Sequence, residues 1–128
     1  MGGRGTFAAG KPTEFTYRAV GEIEGVKVLE PMNNKRSFNM PAESHKSKNY
    51  IVLDKTGRFR QYTEYNDEHL PIFEIGYHFE NGLSKAGEAV LHVHEYSLPG
   101  IENRRKARKI KPWEITKYKK FFKGVKLE

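Results

Sequence analysis

Pro71-Ile72-Phe73-Glu74-Ile75-Gly76-Tyr77-His78-Phe79 reads as a β-strand by strict alternation. Phe73, Ile75, Tyr77 and Phe79 fall on one face, and Ile72, Glu74, Gly76 and His78 on the other. A turn, Asn66-Asp67-Glu68-His69, precedes it, and before that Arg58 to Tyr65 is a strand rich in aromatic and polar residues. Further back, Asp54-Lys55-Thr56-Gly57 is a turn closed by glycine, and Tyr50-Ile51-Val52-Leu53 is a short buried strand. Downstream, Glu80 to Glu88 contains Asn81-Gly82 and Ala86-Gly87 and reads as a loop. Ala89 to Tyr96 is the next strand, with Leu91 and Val93 on one face and His92 and His94 on the other. Four consecutive strands in this order make a meander.

Outside the meander, Phe15, Tyr17 and Ala19 alternate with polar residues, and Val26 to Leu29 forms a second run after Glu24-Gly25, a hairpin turn. Residues 31–49 are polar and suit a long connection, with a short helical turn near Pro41-Ala42-Glu43. Leu98-Pro99-Gly100 ends the sheet. Pro112 opens a helix in which Ile115, Tyr118 and Phe122 recur at helical spacing, and Gly124 closes it. Residues 1–13 are glycine-rich and read as flexible, and Leu127-Glu128 reads as a cloning remnant. The expectation is one α+β domain over 14–126, a single antiparallel sheet of about five to six strands with the C-terminal helix packed on it.

The chain has 128 residues, of which 37% are hydrophobic and 30% charged, which fits one globular domain. It has no cysteine, which excludes disulfides, thiolate nucleophiles and Cys-ligated zinc. No apolar run approaches the ~20 residues that span a bilayer, and the N-terminus has no secretory apolar core, so a cytoplasmic protein without a membrane partner is expected. Residues 1–100 carry 12 Lys+Arg against 13 Asp+Glu, whereas residues 101–128 carry 11 against 3, so the net charge of +7 belongs to one end. Arg104, Arg105, Lys106, Arg108, Lys109, Lys111, Lys119 and Lys120 are the candidates for holding a nucleic-acid backbone or an acidic partner. A solvated lysine-rich surface accounts for them equally well.

Regular pairing of the strands brings Arg60, Glu64, Glu74, His78, His92 and His94 to one face. Two chemistries use that set. In metal-independent RNA cleavage, His92 and His94 supply acid and base, His78 or Glu74 assists, and Arg60 clamps the phosphate. In a metal site, His78, His92 and His94 are the ligands, with Glu74 in support, for Zn²⁺, Fe²⁺ or Mn²⁺. The bland reading is that paired histidines are polar residues on a half-buried sheet. His45 and His69 fall in a loop and a turn and carry no assigned role. The His92-Val93-His94 pair is similar to that of the cupins, but their downstream Glu and second Gly/His motif are not evident.

The opening Met1-Gly2-Gly3-Arg4-Gly5, with Ala8-Ala9-Gly10, resembles the start of small prophage and mobile-element proteins of Firmicutes. Arg60-Gln61-Tyr62, Tyr77-His78 and His92-Val93-His94, spaced between Gly57 and Tyr96, resemble nuclease toxin domains of the barnase–EndoU–colicin–RelE type. That resemblance implies RNA cleavage on a small antiparallel sheet, no cofactor, and an immunity or phage protein as partner. A non-enzymatic module that docks nucleic acid through the basic C-terminal helix, and a His-x-His metal-binding protein, stay open beside it. The sequence sets no oligomeric state.

Overall fold

The computed structural model describes residues 17–31, 44, 47–84 and 87–125. The expectations for residues 1–13, 41–43 and 127–128 lie outside them. Seven strands form one sheet whose spatial order is the chain order: β1 Tyr17–Ile23, β2 Val26–Pro31, β3 Asn49–Leu53, β4 Phe59–Tyr65, β5 Pro71–His78, β6 Val90–Glu95 and β7 Arg108–Lys109. A 3₁₀ turn, Ile101–Asn103, separates β6 from β7, and helix α1, Pro112–Tyr118, follows.

The sheet is larger than expected, and it is mixed. β2 and β3 run parallel, with Val28 opposite Ile51, while every other neighbouring pair is antiparallel. A tight turn reverses a strand, but residues 32–48 are long enough to carry the chain back to the same end, as a parallel neighbour requires. β7 adds a strand that two residues are too few to signal by alternation. The hairpin at Glu24-Gly25 forms as expected, with φ of 50° and 83° at its two central residues, the left-handed pair of a type I′ turn.

The two faces of the sheet differ. On one, Val26, Val28, Ile51, Phe59, Tyr62, Ile75 and Val93 form a core with Tyr118, Phe121 and Phe122. Phe73, Tyr77 and Leu91 pack at its margin, as the alternation of β5 and β6 predicts. The Tyr62 ring stacks on Phe121 at 4.9 Å, and Phe73 stacks on Tyr118 at 5.4 Å. The other face has a smaller apolar cluster of Leu29, Tyr50, Val52 and Tyr65, which is why β3 reads as apolar throughout. Its β5–β6 end is polar.

Helix α1 is shorter than its periodicity suggests. It tightens to 3₁₀ over Lys119–Phe121, so Phe122 reaches Phe59 from beyond the last helical turn, with ring centroids 4.9 Å apart. Gly124, at φ 77°, ends the segment in the left-handed conformation that favours glycine.

Glu64 belongs to the helix side. Its Oε2 accepts hydrogen bonds from Tyr62 Oη at 2.7 Å and Tyr118 Oη at 3.2 Å, tying α1 to β4. Burial, together with that carboxylate, pushes both phenols above their ordinary range. Glu64→Ala is expected to lower stability by about 2 kcal/mol, because two largely buried hydroxyls lose a charged acceptor. Urea unfolding of the variant measures it, and an unchanged midpoint would mean that the hydroxyls find other partners.

Candidate metal centre on the polar sheet face

The register of β5 against β6 places Glu74 opposite His94, Gly76 opposite His92 and His78 opposite Val90. Side chains opposite one another share a face, so Glu74, His78, His92 and His94 do come together as alternation predicts. Two members of the expected set do not join them. Tyr62 pairs with Ile75 and Glu64 with Phe73, which places Glu64 on the helix face. Arg60 lies at a register shift, where Leu53 pairs with Phe59 and Val52 with Gln61, and its side chain is exposed. The bulge that brings Phe59 into the core alongside Tyr62 removes Arg60 from regular alternation.

The three histidines are oriented by the same device. His78 Nδ1 lies 2.8 Å from the Phe79 carbonyl, His92 Nδ1 2.8 Å from the Val90 carbonyl, and His94 Nδ1 2.7 Å from the Arg105 carbonyl. A carbonyl only accepts, so each Nδ1 carries the proton and donates it. In the neutral ring the Nε2 lone pair is then free. Burial, the largest influence, lowers the pKa of His92 below the ordinary value, partly offset by the Val90 hydrogen bond. His92 is therefore neutral at pH 7. Its Nε2 and that of His94 are buried with no hydrogen-bond partner among the described residues.

Glu80 completes the group, although it sits in the stretch read as a loop. Its Oε1 lies 3.5 Å from His92 Nε2. Ligand atoms of His78, Glu80 and His92 all fall within 4.8 Å of one another. Ser84 holds this corner by accepting the Glu80 backbone N–H at 2.7 Å and donating its own N–H to the Glu80 carbonyl at 2.9 Å. The parity of 74, 76, 78 and 80 continues past the end of β5, which is the signal that could have found Glu80.

Gly76 makes the room. A Cβ there would lie 2.7 Å from His92 Nε2 and 3.2 Å from His78 Nε2. The two nitrogens thus converge over a gap in the side-chain layer. His92 and His94 are 0% and 5% exposed, while His78 and Glu80 are only partly buried and form the open side. His94 stands edge-on to His92 at 5.4 Å between centroids, with its Nε2 outside the tight three-residue group.

Glu74 is committed elsewhere. Arg104 Nη2 donates to its Oε2 at 2.6 Å, Arg104 Nε to its Oε1 at 3.2 Å, and Tyr96 Oη to the same oxygen at 3.1 Å. This bidentate pair fastens the segment after β6 onto β5. Arg108 is likewise occupied, with Nη1 and Nη2 on Glu114 at 2.9 and 2.7 Å and Nη2 on Glu95 at 3.3 Å. Arg105, Lys106, Lys109, Lys111, Lys119 and Lys120 are exposed.

No family model, curated protein or solved structure matches this chain. No helix among the described residues is long and apolar enough to cross a membrane.

Proposed function

We propose that the protein binds a divalent transition-metal ion through His78 Nε2, His92 Nε2 and the Glu80 carboxylate. The observation that carries this reading is the convergence of two imidazole Nε2 atoms over Gly76, each ring fixed by an Nδ1–H bond to a main-chain carbonyl. That is the outer-shell arrangement by which proteins orient metal-ligating histidines. The spacing of one ligand pair supports it too. Two ligands of a tetrahedral Zn²⁺ site with bonds of ~2.0–2.1 Å lie about 3.3 Å apart, close to the 3.5 Å between Glu80 Oε1 and His92 Nε2. Two imidazoles and one carboxylate suit Zn²⁺ or Fe²⁺, and three protein ligands leave positions for water or substrate. A bound ion there supplies Lewis acidity on the open side marked by His78 and Glu80. The chain's own residues hold the ligands in place, with Ser84 fixing the Glu80 corner and Arg104 and Glu74 the far side.

Acid–base catalysis by His92 and His94, the metal-independent ribonuclease expected from the resemblance, is less well supported. Both rings are buried, and a polymeric substrate needs to reach their nitrogens.

Titration of tag-free, metal-stripped protein with Co²⁺, read by visible absorption, tests the proposal. One equivalent is expected to bind with ligand-field bands of a low-coordinate nitrogen–oxygen site. His78→Ala and Glu80→Ala, both partly exposed and therefore compatible with folding, are expected to weaken binding by about 100-fold or more, since even outer-shell losses cost ~10–100-fold. His69→Asn is expected to have no effect. Binding that ignores both substitutions refutes the site. RNA cleavage that persists in EDTA and disappears in a His92→Ala/His94→Ala double variant would return the histidines to acid–base chemistry.

A further inference from the structure

From the surface of α1 we infer a second binding site, for single-stranded nucleic acid, centred on Trp113. It stands independently of the metal centre. Trp113 is the one tryptophan of the chain and is 58% exposed, so its ring face is open to solvent. Lys117 and Lys120 follow at i+4 and i+7, so all three share one stripe. The neighbouring stripe, Glu114, Tyr118 and Phe121, is buried against the sheet, which directs the Trp113 stripe outward.

Charge complementarity chooses the occupant. From Lys111 to Lys123 there are five lysines and one acidic residue, Glu114. Glu114 is 1% exposed and neutralised by Arg108, so it offers nothing to solvent. None of the five lysines makes an ion pair among the described residues. The exposed surface of the helix is thus uniformly positive around one flat aromatic ring. A base stacks on such a ring through its π-face whatever its identity, while the lysines follow the phosphates. Arg104 and Arg108, the bidentate cations, are held by Glu74 and Glu114 and do not belong to this surface. The charges beside Trp113 on its own stripe are lysines, point charges suited to tracking a backbone.

The experiment uses the full chain in EDTA, so its outcome is separate from metal binding, and reads the intrinsic fluorescence of Trp113. Oligo(U) is expected to quench it, with affinity that falls as salt rises. Trp113→Ala, followed by a labelled oligonucleotide, is expected to bind about 10-fold more weakly, and Trp113→Phe to recover most of the loss. Lys117→Gln/Lys120→Gln removes two phosphate contacts and should reduce the log–log salt slope by about 1.4. Oligo(dT) in a parallel arm distinguishes DNA from RNA. A duplex of equal length, with no accessible base face, is expected to quench weakly. Two outcomes overturn the inference: no quenching by either oligonucleotide, or polyglutamate binding as tightly as oligo(U) with Trp113→Ala without effect, which would indicate an acidic protein partner.

Discussion

Gly76→Ala is expected to abolish metal binding while leaving the protein folded. The added methyl would sit 2.7 Å from His92 Nε2 and 2.9 Å from its Cε1, closer than non-bonded atoms approach. His92 is fully buried, so its ring has little space to retreat, and its Nδ1 bond to the Val90 carbonyl holds it in place. Moving the ring by a few tenths of an ångström withdraws the lone pair from the convergence point. The expected loss in Co²⁺ affinity is at least about 100-fold, above the upper range for disturbing an outer-shell partner. Gly76 has no positive φ, so alanine there meets no backbone penalty and gains up to ~1 kcal/mol from a less flexible unfolded chain. The overlap with His92 also costs about 1–3 kcal/mol as overpacking, which thermal unfolding in EDTA measures separately from metal affinity. Gly21→Ala is the control, since a Cβ at Gly21 meets nothing within 4 Å. Undiminished Co²⁺ binding by Gly76→Ala would place any ion elsewhere.

The largest effect on stability is expected at Glu114. Its carboxylate is 1% exposed, accepts both Arg108 Nη groups, and accepts the Lys111 backbone N–H at 2.8 Å at the start of α1. It therefore closes the helix N-terminus and joins it to β7 at once. Glu114→Ala leaves Arg108 facing a cavity and the first turn uncapped. A loss of about 3 kcal/mol is expected, corresponding to a fall in Tm on the order of 10 °C. Calorimetry measures it, and a loss below ~1 kcal/mol would show that solvent replaces Glu114 easily. Burial opposes ionisation of this carboxyl, but Arg108 and the Lys111 N–H outweigh it and hold its pKa below the ordinary glutamate value. The unfolded chain thus takes up its proton first as pH falls. The contribution is complete well above the ordinary glutamate value and disappears as pH drops through the lowered folded value. Wild-type stability should decline in that acid range more steeply than that of Glu114→Gln.

Much of this was legible in the sequence because alternation survives wherever a strand has one buried face. Phe73, Ile75 and Tyr77 against Glu74, Gly76 and His78, and Leu91 and Val93 against His92 and His94, sorted the faces of β5 and β6 correctly. Arg60 and Glu64 were misplaced because parity alone does not say which face of β4 meets which face of β5. One bulge at Arg60 also breaks the count. Glu80 was lost to its neighbours Asn81-Gly82, which signal a turn and conceal that the strand's parity runs one step further. The parallel pair could not be read because no local pattern separates a strand that returns by a hairpin from one that returns by a crossover. Arg104 and Arg108 look like free cations in the sequence, and only the fold reveals that Glu74 and Glu114 hold them. The exposure of Trp113 has no local signal, because one tryptophan at a helix start reads equally well as a core residue.

The parallel junction between β2 and β3 also has a consequence for the order of folding. From β3 to β6 each strand pairs with the one just made, so those pairings close short loops and can form early. The β1–β2 hairpin is also local, but its ladder to β3 needs the chain to span residues 32–48 and comprises three residue pairs, Lys27–Tyr50, Val28–Ile51 and Leu29–Val52, with Val26, Val28 and Leu29 buried in the two apolar clusters. Its docking, which closes the longest connection, is the slow, entropically costly step. The hairpin should therefore behave as a separate cooperative unit, whose amides exchange with solvent while β4, β5 and β6, and the histidines they carry, stay closed.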